Sequence, residues 1–453
     1  MGKTIAAVAT PQGEGGIGIV RISGDGAVDV ADKVFRSQSG KVLRDAAGYT
    51  ALFGGVWRDD EKIDEAVALV FRAPKSYTGE DVVELSVHGG SFVVNCVLRA
   101  VIDAGACLAG RGEFTERAFR NGKLDLTEAE AVMQIIAADG EQALRASMAA
   151  KGGAVSKKCA AVKESLTFAA ATVAAFSDFP DEEPEFSGID RLEEMLVNAE
   201  DELDRLCANY DTGRMIRNGI NTVIVGPPNA GKSTLMNLLV GCERSIVTPV
   251  AGTTRDVIEE TVRFDGLTLR LSDTAGLRET EDTVEQIGVK LTRERIESAD
   301  LIIAVVDGAD VDRDETAELL DGIKGRPAVV VLNKSDITVA DKTVAESRGL
   351  PCVLMSAKDG TGLLEFKNLI KTVTNTANLT GAEGVYLNER QRDCAVRALK
   401  NVREALDALR CGMTVDAVGV CLDDAVSALM ELTGERVTVE VANKVFEHFC
   451  VGK

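Results

Sequence analysis

Residues 220–241 read INTVIVG-PPNA-GKS-TLMNLLVG, an apolar β-branched run, a glycine- and proline-bearing turn, and a segment that favours helix. A strand that is apolar on both sides must be buried on both faces, which places it inside a parallel sheet covered by helices. The turn has the spacing GxxxxGK[ST], with Gly226 and Gly231 bracketing it and Lys232 and Ser233 opening the helix. In that strand–loop–helix setting the backbone N–H groups and the helix N-terminus form a cradle for phosphate. An ordinary glycine turn would not require both flanking elements.

The segments that follow extend the same pattern. VIEETVRF, LTLRLSD, LIIAVVD, AVVVLNK and CVLMSAK are apolar strands separated by helical segments or, at Asp265-Gly266, by a tight hairpin. They predict an α/β domain over residues 216–376 with a mostly parallel sheet. Before it, residues 1–120 show short β-like runs, IAAVAT (5–10), IGIVRIS (17–23), EAVALVF (65–71) and VVELSVH (82–88), broken by glycine and proline. Residues 121–215 change to Ala, Glu and Leu at helical spacing, interrupted by FPDEEPEF (179–186), which predicts a loop. Residues 377–453 return to helix through ERQRDCAVRALKNVREALDAL and DDAVSALMEL. The simplest architecture is multidomain α/β and α+β: an N-terminal α+β domain, a split helical domain, and an α/β domain inserted into it.

Composition narrows the setting. The formal net charge of −21 weighs against a broad basic face that grips nucleic acid, so any RNA contact must be local or shared with a basic partner. No apolar run approaches the ~20 residues of a bilayer span, and the start lacks a secretory pattern, so the expectation is a cytoplasmic protein away from membranes. The ten cysteines form no CxxC and there are two histidines, His88 and His448, which disfavours disulfide frameworks and His-rich metal sites.

Further signals complete a nucleotide site in chain order. Asn229, Ala230, Gly231, Lys232, Ser233 and Thr234 form the phosphate loop, with Lys232 reaching the β/γ oxygens and Ser233 offering a hydroxyl to Mg²⁺. Thr248, Pro249, Val250, Ala251, Gly252, Thr253 and Thr254 form a loop before a strand, where a threonine would close on Mg²⁺. Asp273, Thr274, Ala275 and Gly276 end a strand, Asp273 holding Mg²⁺ through water and the Gly276 N–H meeting the γ-phosphate. Asn333, Lys334 and Asp336, then Ser356, Ala357 and Lys358, end two more strands. The Asp336 carboxylate can accept from N1–H and the N2 amino group of guanine, a pattern adenine lacks. The set resembles the G motifs of the Ras-like P-loop GTPases and implies GTP with Mg²⁺.

Two departures matter. Ras-like proteins carry a water-orienting glutamine after the DTAG segment, whereas Leu277 stands here and cannot hold a water. Glu281, Asp282 and Glu285 in the acidic stretch that follows are the candidates. Asn229 could complete a cage for a monovalent cation with carbonyls of TPVAGTT (248–254), or it could serve a local turn. Arg255 and Arg278 are rival cations for the transition state.

From end to end the chain resembles the MnmE (TrmE) family of tRNA-modification GTPases. The matching stretches are ATPQGEGGIGIVRISG (9–24), YTGEDVVELSVHGG (77–90), GEFTERAFRNGKLDLTEAEAV (112–132), FPDEEPEF, GPPNAGKST, AGTTRD, DTAGLRE and the terminal FCVGK. The resemblance implies a folate-binding, dimerising N-terminal domain, and a homodimer that joins an FAD-dependent MnmG (GidA) subunit in a heterotetramer or larger complex acting on tRNA. Together they would install an aminomethyl or carboxymethylaminomethyl group at C5 of the wobble uridine. The one-carbon unit would come from 5,10-methylene- or 5-formyl-tetrahydrofolate and the amine from ammonium or glycine. By the same resemblance, Arg21, Glu84, Lys123 and Lys453 match folate contacts, and K⁺ would bind Asn229 with Thr248, Val250 and Thr253. Glu285 would orient the attacking water through a second water. Cys450 would act near the folate, as nucleophile or as structural thiol; prenylation is disfavoured by Gly452 and Lys453. The competing functions are a purely regulatory GTPase with docking domains and a folate-dependent transferase for a small molecule.

Overall fold

A computed structural model describes residues 2–11, 13–178, 186–242, 259–264, 266–272, 296–338, 340–376 and 385–452. The chain divides into two compact units, Met1–Met133 with Ser156–Pro184 and Asp407–Lys453, and Gln134–Val155 with Glu185–Leu406.

The first unit is built on seven strands: β1 (Ile5–Val8), β2 (Ile17–Ser23), β3 (Phe35–Ser37), β4 (Thr50–Arg58), β5 (Glu61–Phe71), β6 (Val82–His88) and β7 (Cys107–Leu108). They lie in the order β3-β4-β5-β6-β2-β1-β7, antiparallel throughout except for β1 and β7. Side chains alternate across each strand. Val20 and Ile22 of β2 and Val83 and Leu85 of β6 therefore enter a core under the helices Ala27–Val34 and Ser91–Asp103. The residues between them, Arg21 and Glu84, fall on the other face, directly opposite one another in register.

The four expected strands are present, but β3, β4 and the short β7 were not anticipated. TALFGGVWR contains a glycine pair that reads as a turn, yet both glycines are inside β4. A Cβ at Gly54 would come within 2.2 Å of the Arg36 carbonyl and 2.8 Å of the Ser37 Cα, so the close approach of β3 requires glycine there.

Helices complete this unit. Phe119, Leu126, Phe446 and Phe449 form a satellite core between the segment after β7 and the chain's last helix, Val439–Glu447, which the sequence pattern did not foresee. The helix Ala154–Asp178 buries Val155, Cys159, Val162, Leu166, Ala169 and Val173, a stripe at helical spacing. Its Ala154–Ser177 portion is long and apolar enough to cross a bilayer by length and composition, a signal the sequence reading had missed. Against that, Lys163 pairs with Glu435 at 2.6 Å and Ser177 donates to Asp416, as on the face of a packed helix.

The second unit holds a six-stranded sheet: β8 (Ile220–Val225), β9 (Glu259–Phe264), β10 (Leu267–Ser272), β11 (Leu301–Asp307), β12 (Ala328–Asn333) and β13 (Cys352–Leu354), in the order β13-β12-β11-β8-β10-β9. All neighbours are parallel except β9 and β10, which pair antiparallel with Phe264 opposite Leu267. Both faces are buried: Ile224, Val329 and Val331 pack with Leu235 and Phe366, while Val225, Val330 and Leu332 pack with Leu320. That double burial is why these strands are apolar without alternation. The last strand is shorter than CVLMSAK suggests, and Met355 to Ala357 leave it as a loop. Of FPDEEPEF, residues 179–185 lie outside the described residues and Phe186 already opens the helix Phe186–Ala208.

Leu85 is fully buried in the centre of the first sheet. Leu85→Ala should cost about 2–5 kcal/mol, since the cavity adds to the lost transfer energy. Trp57, the chain's one tryptophan, lies on β4 of the same sheet, so its fluorescence should report a lower urea midpoint. A midpoint equal to wild type would show that Leu85 is not part of a tightly packed core.

Candidate functional site

The C-terminal ends of parallel strands gather loops into one crevice, the usual place for a ligand in such sheets. Here β8 runs into residues 226–231, β12 into 334–336 and β13 into 355–358. Gly226 has φ +154° and Gly231 φ +97°. A Cβ at 226 would meet the Val305 carbonyl oxygen at 2.1 Å, and one at 231 the Asn333 Nδ2 at 2.2 Å. The two fixed glycines of the motif are thus imposed by neighbours as well as by backbone shape. Asn229 stands between them at φ +61°, a left-handed conformation that asparagine tolerates better than most residues, and is exposed.

The helix Lys232–Cys242 starts at the motif lysine, so its first N–H groups have no partner within the helix and face the cradle. Ser233 and Thr234 are exposed on that first turn. The Lys232 Nζ donates to the carbonyl oxygens of Gly226 and Pro227, both at 2.8 Å, and burial lowers its pKa. A half-buried ammonium curled onto neutral carbonyls, in a loop whose two motif glycines leave no room for a Cβ, fits a phosphate chain well.

Asn333 joins the loops. It is 3% exposed; its Nδ2 donates to the Ala230 carbonyl at 2.8 Å and its Oδ1 accepts from the Ala357 N–H at 2.9 Å. Lys334 follows at φ +63° with its Nζ 2.6 Å from Asp307 Oδ2. Burial pushes the Asp307 carboxyl up, but the Lys334 ammonium and the Ala309 N–H outweigh it and leave the group below its ordinary value. Asp336 is exposed, and no side-chain hydrogen bond to it is found among the described residues. Ser356 is buried, and Lys358 is exposed. The structure therefore brings together Asn229, Ala230, Gly231, Lys232, Ser233, Thr234, Asn333, Lys334, Asp336, Ser356, Ala357 and Lys358.

Several expected residues lie outside the described ones: Thr248 to Thr254, Arg255, Asp273 to Gly276, Leu277, Arg278, Glu281, Asp282, Glu285 and Lys453. Of the expected Mg²⁺ set only Ser233 is described, and of the K⁺ set only Asn229. Among the described residues no group of three His, Cys, Asp or Glu side chains could hold a metal ion.

The first unit carries the second constellation. Arg21 Nε donates to Glu84 Oε1 at 2.8 Å and its Nη1 to the Gly452 carbonyl at 3.1 Å. Its guanidinium lies over the rings of Tyr77 and Phe114, 5.8 and 5.6 Å from their centroids. The Gly112 N–H donates to the Cys450 carbonyl at 3.4 Å, and Arg111 and Val451 form a bridge, so the terminal segment is laid beside Arg21. Cys450 is exposed. Lys123 is exposed too, donating to the Pro74 carbonyl at 3.1 Å on the loop that bears Tyr77. Tyr77, Phe114 and Asp307 were missed as site residues. Tyr77 sits inside a quoted motif, and Asp307 ends a parallel strand, the position where a ligand-facing residue is expected.

Comparison with known proteins places the whole chain. The model of the MnmE helical domain matches residues 126–450, and that of the GTP-binding protein TrmE N-terminus matches residues 4–123. A tRNA modification GTPase MnmE from Heliobacterium modesticaldum is 43% identical, with all of both chains covered. Its counterparts from Lachnoclostridium phytofermentans and Clostridioides difficile are 41% and 37% identical, each with 99% of both chains covered. Among solved structures, the FeoB G-domain from Methanococcus jannaschii is similar at 25% identity, covering 34% of this chain and 98% of its own, with a TM-score of 0.27. Matched over its full length by proteins of one kind, the chain belongs to the MnmE family of tRNA modification GTPases.

Proposed function

We propose that the chain hydrolyses GTP at the crevice formed by residues 226–234, 333–336 and 356–358 and couples that cycle to tRNA modification in the cytoplasm. With an FAD-dependent partner of the MnmG (GidA) type, and as a homodimer, it adds an aminomethyl or carboxymethylaminomethyl group to C5 of the wobble uridine. A tetrahydrofolate one-carbon carrier docks near Arg21, Glu84, Lys123, Lys453 and Cys450. The domains follow as residues 1–120 for folate, 121–215 and 377–453 for the helical domain, and 216–376 for the nucleotide. The observation that carries this reading is the Asn333 amide, which ties the phosphate loop to the base loops in a chain aligned end to end with tRNA modification GTPases.

In this reading Lys232 binds the β/γ oxygens, Ser233 offers its hydroxyl to Mg²⁺ with Thr254 and Asp273, and Asp336 accepts from the guanine edge. Glu285 orients the attacking water in place of the missing glutamine, and a K⁺ at Asn229 with Thr248, Val250 and Thr253 supplies positive charge to the transition state. The direct test is wobble-uridine analysis of tRNA from a deletion strain complemented with wild type or Arg21→Ala. Wild type should restore the modified nucleoside and Arg21→Ala should not, while its GTP turnover stays intact. Restoration by both would remove Arg21 from the folate site.

Asp336→Asn should lower GTP affinity at least tenfold, from ~1–3 kcal/mol for a mismatched polar group, and raise xanthosine triphosphate affinity. Titration of both nucleotides decides it, and unchanged GTP binding removes Asp336 from the pocket.

Turnover of wild type should be faster in K⁺ than in Na⁺, because a cage of carbonyl oxygens selects by size. Asn229→Ala should abolish that difference. Equal rates in both salts for wild type, with collapse only in Arg255→Ala or Arg278→Ala, would replace the cation by an arginine.

A further inference from the structure

Asp307 ends β11 at the crevice side of the sheet, and its partner across the ladder is Asn333. The Gly308 N–H donates to the Asn333 carbonyl at 2.9 Å, which fixes the two strand ends together. The carboxylate divides its work: Oδ1 accepts from the Ala309 N–H at 3.0 Å, and Oδ2 accepts from the Lys334 ammonium at 2.6 Å. Lys334 stands in the left-handed region, which a long side chain rarely adopts, so its backbone is held there by its surroundings. A free lysine side chain has many rotamers to lose when it is ordered. Set directly after the last ladder pair, Asp307 with Asn333, and tethered at the ammonium by Asp307, the Lys334 stem loses that freedom before any nucleotide arrives.

We propose that Asp307 is a positioning residue for the purine base: by holding the Lys334 ammonium it keeps the methylene stem as a fixed apolar wall of the pocket, and so sets how long a guanine nucleotide stays bound. The inference rests on the reading of residues 333–336 as the base pocket. A carboxylate is required, not only a side chain of that shape. Asparagine at 307 can still accept from Ala309, but its NH₂ group would point a donor at an ammonium. The lysine then turns to solvent, and each incoming nucleotide must order the wall again.

The test measures release of methylanthraniloyl-GDP from the full-length protein. Asp307→Asn should speed release about fivefold, the size expected for a partly exposed ion pair replaced by an unfavourable contact. Asp307→Glu, which keeps the anion, should stay within about twofold of wild type on the same scale. In a Lys334→Met background, Asp307→Asn should add nothing, because the group it acts through has gone. No acceleration in Asp307→Asn, acceleration by Asp307→Glu as large as by Asn, or equal acceleration with and without Lys334 would each overturn the proposal. Asp336→Asn separates the two levels. If it leaves GDP release unchanged and xanthine nucleotides gain nothing, the pocket reading fails and this proposal with it. If it behaves as a pocket residue while Asp307→Asn is inert, only the positioning role fails.

Discussion

The buried amide of Asn333 is the contact on which the crevice depends. One side chain gives its donor to Ala230 in the phosphate loop and its acceptor to Ala357 in the loop after β13, both bonds made away from water. Without this bridge the 226–231 turn would, among the described residues, be tied only to itself, through the Lys232 ammonium on the Gly226 and Pro227 carbonyls and the Ala230 N–H on Pro227, and not to the neighbouring loop. Because the amide is 3% exposed, losing either partner leaves a buried polar group unmet, at about 1–3 kcal/mol. Gly231 is part of the same constraint, since the Asn333 Nδ2 occupies the space where a Cβ would stand. The motif glycine and the motif asparagine, more than 100 positions apart in sequence, thus specify each other.

Much of this was legible beforehand, for a definite reason. A strand buried on both faces must be apolar at every position, so LIIAVVD and AVVVLNK read directly, and β11 spans Leu301–Asp307 as the pattern predicts. The glycine-rich loop read well because its chemistry is local. The failures share a cause. β4 escaped because Gly54 answers to β3, a neighbour that sequence order does not advertise. Arg21 and Glu84 were each recognisable by resemblance, but their pairing depends on a strand register joining residues 63 positions apart. Asp307 was passed over for the same reason: its partner lies one strand away on β12.

The acidic balance bears on how such a chain can meet an RNA. A net charge of −21 repels a polyanion at long range, so an RNA-directed role needs either a local cationic contact or a partner that supplies one. Many arginines of the first unit are already engaged: Arg21 with Glu84, Arg72 with Asp81, and Arg117 with Glu80 and Glu113. Pairs of that kind hold loops in place and contribute little positive field. On the proposed reading, the phosphate backbone of the tRNA is held chiefly by the partner, and this chain presents chemistry and timing.

The two constellations differ in how a ligand must enter them. Lys232 rests on two neutral carbonyls, and an arriving phosphate replaces them with charged acceptors, which bind an ammonium roughly twice as strongly. That exchange runs downhill. Arg21 rests on a carboxylate, at 2.8 Å and with both side chains less than one-fifth exposed. A ligand carboxylate that takes Arg21 from Glu84 gains no charge type it did not replace, and it leaves Glu84 in need of a donor. On the proposed reading, the exchange becomes favourable only if the same ligand also brings N–H groups to Glu84 and a flat surface to Tyr77, which already flanks the guanidinium. The pterin ring and glutamate tail of the folate proposed for this site have both features. A simple dicarboxylate has one of them, so the resting ion pair selects against it.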